Sequence, residues 1–393
     1  MLLRLSNTPR DYAWGSTTLI AELEGREPAT APEAELWLGD HPGAPATVED
    51  GSGRTLDRWL DDHAPGTRLP YLLKLIAIAH PLSIQAHPSK AQGESGFARE
   101  EAAGIPRDAP ERSYRDDNHK PELLVAASER VRALAGLRET ARTQRLLSAL
   151  GEAAGVRELR ERLEKADAAG RLGDVVAWLL SPAACAAVAD VRAALPTASS
   201  DEFADELAVA RWLDDEMPGD PGVLVALLMN LVMLRRGEGL YVPAGVLHAY
   251  VDGLGVEIMA ASDNVLRGGL TTKHVDVDEL AAVLDPSPGA PPVMRPVALA
   301  GAIGDVAVYA APCRDFELAR VRVAAGSPAQ LVPRGISIAL ALAGTVAVAQ
   351  GGQERALRPG QALLATDAAL PLRVAGDGEL FLAQPGRRIP GAS

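Results

Sequence analysis

The stretch Gly237-Glu-Gly-Leu-Tyr-Val-Pro-Ala-Gly-Val-Leu-His248 decides the fold. Leu240 and Val242 are apolar or β-favouring, Pro243 fixes one φ, Gly245 frees another, and His248 opens the next run, His-Ala-Tyr-Val. The reading is strand, tight turn, strand, with a histidine where the second strand begins. By itself such a histidine suits a packed core or surface position as well as it suits a metal site.

Two upstream segments supply companions. In Pro81-Leu-Ser-Ile-Gln-Ala-His-Pro88, Gln85 and His87 are two residues apart, so a strand puts both on one face with Cα atoms roughly 6.6 Å apart. In Asp117-Asn-His-Lys-Pro-Glu-Leu-Leu-Val125, Lys120 and Glu122 share a face in the same way, and Leu123 to Val125 run on into a core. Gln85, His87, Glu122 and His248 together offer a mixed nitrogen and oxygen site without a thiolate, which suits zinc among divalent ions, one per chain. His119 points to the opposite face of a regular strand.

Composition narrows the class. A chain of 393 residues, 47% of them hydrophobic, with a mean hydropathy near zero, has room for two or three globular domains. The most apolar stretch, Val223 to Leu234, is too short to span a bilayer, and the N-terminus lacks a signal-peptide pattern, so neither a membrane nor secretion is expected. Two cysteines, Cys185 and Cys313, make no disulfide framework, in keeping with a reducing cytoplasm. A net charge of −13 argues against nucleic acid. Only five of the 39 basic residues are lysines, and Lys74, Lys90, Lys120 and Lys273 fall in or beside the segments above, where a compact ammonium differs from a guanidinium fork.

Along the chain, Asp11-Tyr-Ala-Trp-Gly-Ser16 and Ala34-Glu-Leu-Trp-Leu-Gly-Asp-His-Pro42 read as short strands ending in turns. Leu69 to Ile84 is almost wholly apolar apart from Lys74, which must snorkel or face a polar cavity. From Arg138 to Arg236, alanine, leucine, arginine and glutamate recur at helical spacing, with breaks at Gly151, Gly170, Ser181-Pro182 and Leu195-Pro-Thr. These helices interrupt a barrel if the Glu122 and His248 strands share one. A Pro-rich linker, Asp285 to Pro292, precedes short strands over Phe316–Val323, Ile336–Val348, Ala362–Leu364, Leu370–Val374 and Glu379–Ala383. No histidine follows His274, so this last part cannot repeat a histidine-based site.

The spacing Gly, five residues, Pro, one residue, Gly, two residues, His at 237–248 matches the second half of the cupin signature. With Tyr12-Ala-Trp-Gly-Ser16, Glu35-Leu-Trp-Leu-Gly, His41-Pro42, the Gln85 and Glu122 segments, and Glu257 through Lys273, the chain resembles the type I phosphomannose isomerases, zinc-dependent cupins. The resemblance implies a mainly β fold with an α insertion, built of jelly-roll barrels. It implies a catalytic cupin domain over 1–137 and 237–285, a helical domain over 138–236, and a metal-free, cupin-like β domain over 296–393. Its zinc ligands map to Gln85, His87, Glu122 and His248, its catalytic arginine to Arg267, and pocket positions to Trp14, Lys74, Ser83, Lys120, Tyr250, Glu257, Asp263 and Lys273.

The implied reaction interconverts mannose 6-phosphate and fructose 6-phosphate by proton transfer through a cis-enediol, in a cytoplasmic monomer. Glu257, flanked by Val256 and Ile258, is the expected base because desolvation would raise its pKa. Lys120 is the competing candidate. The phosphate is expected on the Arg267 to Lys273 loop. A cupin oxygenase and a non-enzymatic sugar-binding cupin are the alternatives; acid and base groups beside the metal favour catalysis over both.

Overall fold

The computed structural model describes residues 1–387, so positions 388–393 of the expected C-terminal domain lie outside the described residues. Two ten-stranded sheets, antiparallel throughout, carry the fold. His248–Ala260 is the spine of the first. Its later residues pair with Tyr71–Ile78 on one side and Glu122–Ala126 on the other, and its start pairs with Arg130–Leu137 and with Gln85. The turn read from the sequence is there: Gly239–Val242 leads into it, and Gly245 takes φ 79°.

Strand alternation divides the buried side chains between two environments. Along Tyr71–Ile78, where every residue is buried, Leu73, Leu75 and Ala77 pack against the second sheet, while Ile76 and Ile78 fill the first barrel. Leu123, Val125, Val256 and Ile258 continue the inter-sheet core with Ile338, Leu340, Leu364 and Phe381. Leu124, Ala126, Val131, Leu240 and Val242 line the barrel interior. Lys74 and Glu257, cross-strand partners on the inward face, therefore extend that apolar interior into a polar chamber.

Six α-helices, Thr140–Ser148 through Gly222–Leu228, expand the connection between Arg130–Leu137 and Met229–Arg235, which pair as a hairpin. The breaks at Gly151 and Gly170 take φ 84° and 65°. The helical expectation over 138–236 is corrected at its end. Met229–Arg235 is a strand, because Val232 and Leu234 are buried while Met233 and Arg235 are exposed, a period of two.

The second sheet contains Asp305–Tyr309, Glu317–Val323, Ser337–Gln350, Ala362–Ala365 and Leu372–Gln384. The last is a single long strand where two short ones were expected. A second correction concerns the chain start: Leu2–Ser6, expected in the catalytic barrel, pairs with Ala362–Ala365 and belongs to this sheet. Leu2 and Leu5 are both buried there, which anchors the chain start on the C-terminal half. No single helix among the described residues is long and apolar enough to cross a membrane.

Candidate metal centre and active-site cleft

His87, Glu122 and His248 converge at the top of the first barrel, one ligand atom of each lying within 4.8 Å of the others. All three are buried. His87 Nδ1 donates to the Asn264 carbonyl at 2.8 Å, and His248 Nδ1 to the Val246 carbonyl at 3.2 Å. A carbonyl only accepts, so each ring carries its proton on Nδ1 and presents a lone pair at Nε2. Burial and the Lys120 charge push the His87 pKa down to about 4, which keeps that ring neutral.

These lone pairs face other lone pairs. His87 Nε2 is 3.2 Å from Glu122 Oε1, and His248 Nε2 is 3.4 Å from Glu122 Oε2. The buried His87 Nε2 has no hydrogen-bond donor. Acceptors packed together without a proton repel one another unless a cation lies among them, so the residues fit a divalent ion. Burial opposes ionisation of Glu122, but Lys120, its ammonium 2.9 Å from Oε1, outweighs it and holds the carboxyl well below its usual range. Tyr250 donates its hydroxyl to Glu122 Oε2 at 3.3 Å.

Gln85 stands in register with His248 on one side and Arg267 on the other. Its amide nitrogen donates to Ser83 Oγ at 3.1 Å, which leaves the amide oxygen as a free acceptor. Gln85, Ser83, Trp14, Arg267 and Lys273 line one cleft of about 670 Å³. Burial and neighbouring Arg115 lower the pKa of Arg267, and burial with Arg267 and Arg115 lowers that of Lys273. Among the described residues no carboxylate lies within ion-pair distance of these three cations.

Deeper in the barrel, Lys74 lies between two carboxylates, 3.2 Å from Glu257 Oε2 and 3.4 Å from Glu35 Oε1, with its ammonium 5.0 Å from the Trp37 ring centre. Burial raises the Glu257 pKa despite Lys74. Burial opposes the charge on Lys74, but Glu35 and Glu257 outweigh it and raise that pKa. Not every expected pocket residue lies open to the cleft. Lys74 and Tyr250 are bound to carboxylates, and Asp263 sits on an exposed turn 3.4 Å from His41 Nε2. His119 turns away, its Nε2 2.8 Å from Asp315 of the C-terminal domain.

Three participants were not assigned a role from sequence. Glu35 lines the cleft, takes the Trp37 indole N–H at 2.8 Å and partners Lys74. Asn264, fully buried, orients His87 through its carbonyl and joins Asp116 and Asn118 through its side chain. Arg115 adds the third cation. All three act across elements distant in sequence, and no local spacing signals them.

A family description, phosphomannose isomerase type I, catalytic domain, matches residues 2–139. Mannose-6-phosphate isomerase from Escherichia coli K12 is 33% identical over 96% of this chain and 98% of that relative. The chain belongs to the mannose-6-phosphate isomerase family. The family extends to Rattus norvegicus, whose mannose-6-phosphate isomerase is 31% identical over 81% of each chain. Among solved structures, a zinc-bound mannose 6-phosphate isomerase aligns with TM-score 0.87 and 31% identity over 98% of this chain and all of that one. A variant phosphomannose isomerase from Salmonella typhimurium gives TM-score 0.88 at 30% identity over the same share. Membership of this family sets aside the oxygenase and the non-catalytic binding protein.

Proposed function

We propose that this chain interconverts mannose 6-phosphate and fructose 6-phosphate in a zinc-containing pocket. One observation carries the reading: the buried His–Glu–His cation site and the unpaired cation cluster meet on a single cleft through Gln85, which stands in register with both His248 and Arg267. Zinc would be held by Nε2 of His87 and His248, the Glu122 carboxylate and the Gln85 amide oxygen. When bound, it supplies a Lewis acid that stabilises negative charge on the sugar oxygens.

The chain's own groups perform the proton transfer. Glu257, its pKa raised by burial, takes the C2 proton of the open-chain aldose. The C2–H electron pair forms the enediol double bond, and the carbonyl electrons pass to O1, giving an enediolate. The O2 hydroxyl proton passes to O1, the O2 electrons form the new carbonyl, and the double-bond pair takes up at C1 the proton that Glu257 returns, which yields the ketose. Arg267, beside Gln85, and Lys120, beside Glu122, place positive charge next to the enediolate oxygens. Lys273 and Arg115 take the phosphate at the other end of the cationic patch, and Ser83 and Trp14 form the wall between. Tyr250 and Lys74 hold Glu122 and Glu257 in place. Asp263, paired with His41, has no substrate contact in this reading.

A cytoplasmic monomer is part of the proposal, and the two free thiols, Cys185 and Cys313, are consistent with that compartment. The test is a coupled assay on mannose 6-phosphate with zinc-loaded, chelated and zinc-restored protein. Turnover should vanish on chelation and return with zinc; a zinc-loaded chain without turnover contradicts the reading.

A further inference from the structure

Between Arg267 and Lys273 the backbone follows an unfavourable path. Gly269 has φ 112°, and Leu270, at φ 53°, is the only non-glycine residue with positive φ among the described residues. What holds it there comes from the helical insert. Asp220 Oδ1 accepts from Leu270 N at 2.9 Å and from Gly222 N at 2.7 Å, and Oδ2 accepts from Thr271 N at 2.9 Å. The two backbones touch. A Cβ on Gly222 would lie 2.4 Å from Leu270 N, and one on Gly269 would lie 2.5 Å from Gly222 Cα. The gripped residues Leu270 and Thr271 line the substrate cleft with Arg267 and Lys273, and the insert adds Glu216 and Met217 to the same wall.

We propose that Asp220 is a positioning residue for substrate phosphate, and that the helical insert serves substrate binding through it. The inference rests on the assignment of phosphate to the Arg267–Lys273 loop made above. Arg267, Lys273 and Arg115 repel one another, and a loop free to relax would separate them. Pinning two consecutive N–H groups between the two cationic side chains fixes their separation before substrate arrives, so binding orders less of the chain. Asp220 does not line the cleft. Arg267 is held by its own strand pairing with Gln85, so loss of Asp220 frees the Lys273 end of the loop, and the effect falls on affinity for phosphate rather than on proton transfer.

Steady-state kinetics on the zinc-loaded full chain tests this with Asp220→Ala, Asp220→Asn, Lys273→Ala and Asp190→Ala. Asp190 is the control, because its Oδ2 accepts from Gly155 N at 2.8 Å elsewhere in the insert. Asp220→Ala should raise KM for mannose 6-phosphate about tenfold and weaken inhibition by inorganic phosphate by a like factor, with kcat within about threefold of wild type. Asp220→Asn keeps one acceptor oxygen but sets an amide N–H against a backbone N–H, so it should fall between, and it carries the comparison if Asp220→Ala does not fold. Asp190→Ala should lower Tm and leave KM within about twofold. A raised KM in Lys273→Ala with an unchanged KM in both Asp220 variants overturns the clamp alone. An unchanged KM in Lys273→Ala overturns the phosphate assignment and the clamp with it. A wild-type chain without isomerase activity would instead sink the functional reading.

Discussion

Glu122 divides its two oxygens among Lys120, His87, His248 and Tyr250, all within 3.4 Å, whereas Glu257 meets Lys74 alone as a charged partner. The two carboxylates should therefore fail differently. Glu122→Ala and Gln85→Ala should lose zinc on elemental analysis and lower Tm, Glu122→Ala more because it also removes a charge from the ion. Glu257→Gln should keep its zinc and lose at least ~10²-fold in kcat. Since burial lifts the Glu257 pKa above the usual glutamate value of 4.5, kcat/KM should rise with pH through a limb on the alkaline side of that value. The folded state also holds this proton more tightly than the unfolded chain, so the group's contribution to stability falls as pH climbs through the same limb. A Glu257→Gln enzyme that keeps the limb, while Lys120→Met abolishes exchange of the C2 proton, would make Lys120 the base. Arg267→Lys retains charge but loses the planar fork; kcat should drop at least about tenfold at unchanged zinc content, and activity within twofold of wild type would place Arg267 outside the chemistry. At this scale the sequence was most legible where two groups lie two residues apart, as Lys120 and Glu122, which meet at 2.9 Å, although the strands are shorter than expected: Gln85–Ala86 ends before His87, and Glu122–Ala126 begins after Lys120. The partners of Lys74 come from two other strands, which is why a residue expected at the substrate turns out to be ion-paired.

The turn before His248 shows how an element sets the site. Gly245 sits at φ 79°, and a Cβ there would lie 2.9 Å from the Val283 carbonyl oxygen. Gly245→Ala should cost about 1–2 kcal/mol in chemical denaturation from the backbone conformation alone and more from the clash. Zinc affinity should weaken with it, because His248 starts the strand that this turn aims. Full affinity in a stable Gly245→Ala protein would detach the turn from the metal site. Pro243 and Gly245 carry specific dihedral information, so this turn could be read directly. The run Val223 to Leu234 could not. Helix Gly222–Leu228 passes into strand Met229–Arg235 inside one apolar stretch interrupted only by Asn230, and the helix, buried along its whole length, shows no polar face to mark where its period ends.

At the scale of the molecule, the back of the catalytic sheet and the face of the C-terminal sheet form one core, and Leu2–Ser6 is sewn into the far half. Chain order suggested separable domains because pairing between distant strands leaves no local trace. The halves should melt together. Phe381→Ala, far from the metal in sequence and buried in that shared core, should cost about 3–5 kcal/mol and lower a single unfolding transition, with zinc loss coincident; two resolved transitions would show independent domains. The account as a whole stands on proton transfer between C2 and C1. Its most direct test incubates the zinc-loaded chain with mannose 6-phosphate in deuterated water and follows the sugar by NMR over many turnovers. Formation of fructose 6-phosphate with deuterium accumulating at C1 of the ketose and C2 of the aldose is the result predicted. No ketose, or ketose formed without any deuterium, would contradict it.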